Sequence, residues 1–169
     1  MPLKTEKPPV FCIVGQSGSG KTTYIEKLIP ELKRRGLKVG TIKHHHGHFE
    51  LDRPGKDSWR HRQAGSLSTI IASPSQIGLV MDADHDYEPD ELISFFPAVD
   101  MILVEGYKRI SKPKAEIFRP EVHEYPVCAE DRHLVALITD SDIDLGVPRF
   151  NTSDVKAFAS YLIQRLGLR

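Results

Sequence analysis

At 169 residues, 40% of them hydrophobic, the chain has the length of about one ordinary domain and enough apolar material to bury a core without disulfide or metal staples. Its 23 basic and 23 acidic residues cancel, which excludes the electrostatic footprint of a nucleic-acid binder or a polybasic membrane protein. No apolar run approaches a membrane span, and the tail over residues 1–9, "MPLKTEKPP", is polar and proline-rich rather than a signal peptide, so a cytoplasmic protein is expected.

In chain order, "VFCIV" is short, apolar and rich in β-branched residues, the pattern of a strand buried on both faces. Lys21 to Arg35 read as a helix with Ile25, Leu28, Ile29 and Leu32 on one stripe, Pro30 inside it and Gly36 as its stop. "KVGTIK" is a second strand. The polar stretch from His44 to Arg62 has no periodicity, and such a length without structure in a compact domain signals a functional loop. "LSTIIA" and "QIGLVMD" flank Pro74 and Ser75 as an antiparallel hairpin. "PDELISFF" reads as a short helix, "VDMILVEG" as a buried strand, "KPKAEIFRPE" as part of a polar connection and "LVALITD" as a further buried strand. The last helix keeps Val155, Phe158, Ala159, Leu162, Ile163 and Leu166 on one face, with Asn151 or Thr152 as its expected cap. Buried strands alternating with helices imply an α/β fold. A single domain over residues 1–169 is expected, with a mostly parallel central sheet, helices on both faces and the hairpin added.

Gly15, Gly20, Lys21 and Thr22 fit G-x-x-x-x-G-K-[ST], between a strand and an amphipathic helix as that motif requires. In such a P-loop the glycines let successive backbone N–H groups face a phosphate, Lys21 neutralises the β and γ oxygens and the Thr22 hydroxyl can ligate Mg²⁺. A second acid is needed for the metal, normally at the end of a neighbouring buried strand, and Glu105 ends "MILVEG". Asp100, at the other end of that strand, reads as structural. Lys43, His44, Asp52, Asp57 and Ser58 follow the carboxyl end of the second strand, where open α/β sheets place their ligands. From there Asp52 or Asp57 could reach the metal or an attacking water. His44, His45, His46 and His48 raise a nickel- or zinc-binding alternative, which the absence of a nearby cysteine weakens. Lys108, Lys112, Lys114 and Arg119 read as one basic patch able to receive a phosphorylated ligand. Cys12 and Cys128 lack metal or redox spacing and read as reduced, buried thiols.

"GQSGSGKTT", "TIKHHHGHFELDRPGKDSWRHRQAG", "MILVEGYK" and "ALITD", in this order, resemble the MobB family of molybdopterin-guanine dinucleotide biosynthesis adapter proteins over nearly the whole chain. The resemblance implies a GTP-binding P-loop NTPase fold, of the branch that contains dethiobiotin synthetase and the nitrogenase iron protein. It also implies a weak GTPase, requiring Mg²⁺, that works as a homodimer beside the molybdopterin guanylyltransferase, with molybdopterin itself as a further ligand. Carried over by motif, the nucleotide site comprises Gly15, Gln16, Ser17, Gly18, Ser19, Gly20, Lys21, Thr22 and Thr23. Thr22, Glu105 and Asp52 then lie on the metal side, and Lys21, Asp57 and Glu105 are the catalytic set. Gln16 stands where many relatives in that branch carry a second P-loop lysine, so activation by that lysine across a dimer is not expected. The guanine-reading N-K-x-D is absent, and Thr139 and Asp140 of "ITD" are its nearest substitute. A small-molecule kinase, using Arg53, Arg60 or Arg62 as a lid arginine, and a nickel metallochaperone GTPase are the alternatives.

Overall fold

The computed structural model describes residues 7–169, so the first six residues of the expected tail lie outside the described residues. Along the chain run β1 (Val10–Val14), α1 (Lys21–Arg34), β2 (Val39–Lys43), α2 (Asp57–Gln63), β3 (Ser68–Ala72) and β4 (Ile77–Met81). There follow α3 (Pro89–Leu92) with a 3-10 turn (Ile93–Phe95), β5 (Met101–Glu105), β6 (Lys114–Ile117), β7 (Leu134–Ile138), β8 (Arg149–Phe150) and α4 (Val155–Arg165). The chain forms two compact units, one from the segment up to His44 together with Glu88–Arg169, the other from His45–Tyr87.

In the first unit six strands pair in the order β2-β5-β1-β6-β7-β8 among the described residues, every pairing parallel. Alternate side chains of β1 feed two cores. Phe11 and Ile13 join α1 and α4, where Phe158 meets Phe11 and Tyr24 edge-on at centroid distances of 6.1 and 5.8 Å. Val10, Cys12 and Val14 join Ile102, Val104 and Cys128 on the other face, packed against Leu92 and Ile93 of α3 and its 3-10 turn and against loop residues such as Phe96, Tyr107 and Ile110. Both cysteines are buried and free.

The buried face of α1 includes Glu31, whose carboxylate accepts from Arg34 Nε and Nη2 at 2.9 and 2.8 Å and from Arg35 Nε at 2.7 Å. The hydrogen bonds from Arg34, and then those from Arg35, hold this carboxyl down at about 2. Arg35 continues to α4, donating to Ser160 Oγ and the Lys156 carbonyl. It caps α1, so the helix stops at Arg34 rather than Arg35. Asp100 accepts from the Lys38 backbone N–H at 2.7 Å, a structural tie between the starts of β5 and β2.

Several elements differ from the sequence expectation, among them the short strand β8, which no pattern announced. The connection "KPKAEIFRPE" contains a central strand, β6, whose four residues are all buried. Its Lys114 is wholly buried, and the Lys114 ammonium donates to the carbonyls of Lys108 (2.8 Å) and Ile110 (2.9 Å) and to Asp131 Oδ2 (2.5 Å). Two residues on, Glu116 accepts the backbone N–H groups of Val127 and Cys128, each at 2.8 Å. Lys and Glu therefore alternate toward one face of a central strand, each fully partnered, and a pattern that looks solvent-facing is an internal one. The expected basic patch does not form: Lys114 is internal, and Lys112 is paired with Asp90 at 2.6 Å. The cap of α4 is Asp154, which accepts from Ala157 N at 3.0 Å, because Asn151 accepts from Ser153 and Thr152 donates to Asp140.

In the second unit β3 and β4 form the expected antiparallel pair, Ile70 opposite Leu79. The long polar stretch preceding it is not all loop, because α2 forms within it, with Asp57 in its first turn and Arg60, His61 and Arg62 in its last, complementing the helix dipole. Arg62 Nη2 pairs with Asp82 at 3.1 Å.

Because the buried Lys114 ammonium satisfies two carbonyls and Oδ2 of Asp131, we expect Lys114→Met to cost about 3–5 kcal/mol, leaving both carbonyls unpaired and the Asp131 carboxylate with His133 alone. A lowered urea midpoint at unchanged m-value would register it. An unfolding free energy within about 0.5 kcal/mol of the parent's would show that the ion pair holds nothing.

Candidate functional site

All strands of the main sheet end on one edge, and the order reverses around β1, which has β5 on one side and β6 on the other. A crevice at such a reversal is where open α/β sheets bind their ligands. The loop from Gly15 to Gly20 leaves β1 there and turns into α1.

Its backbone is built for close approach. Gly15 has φ 140°, and a Cβ on it would sit 2.5 Å from the Ile117 carbonyl oxygen and 2.7 Å from Ser19 Oγ. Ser19 is fully buried inside this curl, and its hydroxyl has no hydrogen-bond partner among the described residues. Lys21 folds back over the loop, donating to the carbonyls of Gly15 (3.1 Å) and Gln16 (2.7 Å). Partial burial lowers its pKa, with Glu105 opposing that shift.

Parallel register sets Glu105 beside Ile13 of β1 and Lys43 of β2. The Thr22 hydroxyl donates to Glu105 Oε1 at 2.9 Å, and Lys43 Nζ lies 3.7 Å from the same oxygen. A hydroxyl at the start of α1 and a carboxylate at the end of β5, 83 residues apart, thus meet at the mouth of the phosphate loop. Two adjacent hard oxygens suit Mg²⁺, and a curled glycine loop with a lysine ammonium suits polyphosphate, so the residues present fit both groups.

The segments on either side of β6 supply further contacts: sequence reading named Lys108 and Arg119 only as part of a basic patch and missed Val122 and His123. A Cβ on Gly20 would lie 3.1 Å from Arg119 Nη2, and one on Gly18 would lie 3.6 Å from Val122. His123 Nε2 is 3.0 Å from the Ser17 carbonyl oxygen, and Lys108 Nζ is 3.4 Å from Gln16 Oε1. The signal was "IFRPEVH", polar residues leaving the carboxyl end of a strand, and it was lost with the strand itself. Beyond β7, Thr139 is buried and bonded to Ser141. Asp140 accepts from both the amide (2.9 Å) and the hydroxyl of Thr152, which lowers its pKa.

Asp52 and Asp57 belong to the second unit, where Asp52 accepts the Arg53 amide at 2.8 Å and Asp57 opens α2. His44 stacks on Tyr107 at 4.0 Å, and Tyr107 carries the unusual φ of 55° directly after Gly106. Among the described residues no group of three or more His, Cys, Asp or Glu converges as a metal cage. No described helix is long and apolar enough to cross a membrane.

The family model for molybdopterin guanine dinucleotide synthesis protein B matches residues 10–140, the span from β1 to the end of β7 and Asp140. This chain belongs to that family. Its role is that of an adapter in molybdopterin guanine dinucleotide biosynthesis. The chain is 35% identical over 163 residues to the molybdopterin-guanine dinucleotide biosynthesis adapter protein of Escherichia coli (strain K12), covering 92% of each. To the Haemophilus influenzae protein of the same name it is 34% identical over 156 residues, covering 91% of this chain and 87% of that one. The crystal structure of Bacillus subtilis MobB superposes with a TM-score of 0.73 at 25% identity, covering 93% of this chain and 97% of that one. These likenesses support the mostly parallel P-loop fold of the MobB family.

Gly15→Ala combines a left-handed backbone with a collision against a carbonyl, and we expect a loss of about 2 kcal/mol or more. Gly36→Ala, also left-handed (φ 87°) but with open space around it, is the control and should cost about 1 kcal/mol. Equal urea midpoints for the two variants would refute the crowding at Gly15.

Proposed function

We propose that the chain binds GTP with Mg²⁺ at the phosphate loop, hydrolyses it slowly, and in its bound state assists the guanylyltransferase that completes molybdopterin guanine dinucleotide. The observation that carries this reading is the Thr22–Glu105 hydrogen bond of 2.9 Å, which brings two oxygens suited to Mg²⁺ together at the mouth of a glycine-curled loop. Thr22 and Glu105 would hold the Mg²⁺, with Asp52 as a further acid on the metal side. The metal supplies charge neutralisation between phosphate oxygens. Lys21 would exchange the carbonyls of Gly15 and Gln16 for phosphate oxygens, and the amides from Gly15 to Thr23 would enclose the phosphate chain. Asp57 is the candidate to orient a water, with Lys21 and Glu105 completing the catalytic set. Gln16 in place of a lysine supports slow turnover, and with it a role in which occupancy matters more than hydrolysis. Thr139 and Asp140 are the candidates for reading guanine, since an acid that accepts from the guanine N1 and N2 hydrogens discriminates against adenine.

A homodimer in the cytoplasm, contacting the guanylyltransferase and molybdopterin, completes the reading. The hairpin supports the dimer: Ile70, Ile71 and Ile77 of β3 and β4 are 65%, 51% and 75% exposed. An isolated two-stranded hairpin is marginal in water and gains from a further apolar partner. In sedimentation runs the parent should be dimeric and Ile71→Lys monomeric with unchanged nucleotide affinity; a monomeric parent would remove the dimer from this reading.

Calorimetric titration with GTP and ATP in the presence of Mg²⁺ tests the site. Guanine-selective binding should weaken at least about 100-fold in Lys21→Ala, and turnover should stay far below one per second. Preference for ATP would overturn the GTP assignment and favour a kinase.

A further inference from the structure

The two connections that flank β6, from β5 to β6 and from β6 to β7, contain no helix among the described residues, and a cavity of about 740 Å³ opens between them. That volume falls within the roughly 300–1,000 Å³ typical of small-molecule sites. Lys108, Arg109 and Ser111 line it from the first connection, and Glu130, Arg132 and His133 from the second.

The walls are held by the interior rather than by each other. The Lys114 ammonium grips the first through the carbonyls of Lys108 and Ile110 and the second through Asp131. The Glu116 carboxylate fixes the second again through the amides of Val127 and Cys128. Such a cavity is formed before any ligand arrives, which spares the ligand the cost of ordering it.

Its charge leans positive: with the buried residues behind the wall counted, Lys108, Arg109, Lys114 and Arg132 stand against Glu116, Glu130 and Asp131, and Lys114 is paired with Asp131. Among the described residues neither Arg109 nor Arg132 has a carboxylate within ion-pair distance. Guanidinium groups bind phosphate oxygens in a bidentate fork and are less strongly hydrated than an ammonium. Val127, 40% exposed, adds an apolar surface beside the cations. Burial pushes the Cys128 thiol up to about 11, so no thiolate competes with an anion there.

The geometry points to a second anion site, distinct from the phosphate loop, that takes a phosphate monoester carried on a small organic body: Arg109 and Arg132 bind the phosphate and Val127 meets the body. Two guanidinium groups beside one apolar side chain suit a single phosphate on a small body better than a run of acidic side chains. The inference stands on the cavity alone and does not depend on which nucleotide the phosphate loop holds. Lys108 adjoins both places, because its Nζ reaches Gln16 while its carbonyl holds Lys114.

The test is a residue-resolved ¹H–¹⁵N titration of the full chain with phenyl phosphate, repeated on Arg109→Ala and Arg132→Ala. Both side chains are exposed, so the variants should fold, and unchanged melting will verify it. We expect saturable shifts at the amides of residues 109–111 and 127–133, with affinity falling about tenfold or more in each variant. Any response at residues 15–23 should keep its own affinity in both variants. Shifts confined to residues 15–23, or cavity shifts indifferent to both substitutions, would overturn the site. Displacement of phenyl phosphate by a hexaglutamate peptide at equal concentration would also overturn it, marking the cavity as a docking place for acidic protein.

Discussion

Every strand of the main sheet runs in the same direction, and this constraint governs the rest of the first unit. A parallel strand cannot be reached by a tight turn, so each connection must travel the length of the sheet before the next strand begins. It also collects the carboxyl ends of β1, β2, β5, β6 and β7 along one edge. The phosphate loop, Lys43, Glu105, Arg119 and Asp140 share that edge because of strand direction, although they are far apart in sequence. The meeting of Thr22 with Glu105 follows from register: once Ile13 lies beside Glu105, the first turn of α1 comes down over the end of β5.

Returning the chain without helices is the harder physical problem, and β6 solves it with buried charge. A polar backbone in a crossover loop must find partners away from water. Lys114 and Glu116, on one face of a central strand, supply three donors and two acceptors to those loops. The arrangement is costly in desolvation and safe only when every polar atom is paired, which here it is. Burial raises the pKa of Glu116, while the two amides it accepts oppose that shift. Cys128, bonded to Glu116 through its amide, is part of the same interior.

These charges also explain where the sequence could be read and where it could not. β1, β5 and β7 are apolar runs bounded by polar residues, and the glycine spacing before Lys21 identifies the phosphate loop without further help. The same hydrophobic criterion fails on "KAEI", because an internal lysine and glutamate look like surface residues until their partners are known. Losing β6 also hid Val122 and His123, which approach the phosphate loop from the end of that strand together with Arg119, a residue read from sequence only as part of a basic patch. The seven residues of α2 present no buried side chain, so hydrophobic periodicity had nothing to detect. At α4 the cap shifted to Asp154 because tertiary hydrogen bonds had already engaged Asn151 and Thr152.

The anchoring by β6 acts on main-chain atoms: carbonyl oxygens at 108 and 110, amide nitrogens at 127 and 128. Every residue type offers a carbonyl and all but proline an amide, so the course of these loops is insensitive to most of the side chains they carry. Shape and recognition are thereby uncoupled. Residues facing outward at 109, 111, 130 and 132 can be exchanged during divergence, or by an engineer, to alter what the loops recognise while the path of the chain is kept, provided that Lys114 and Glu116 stay in place.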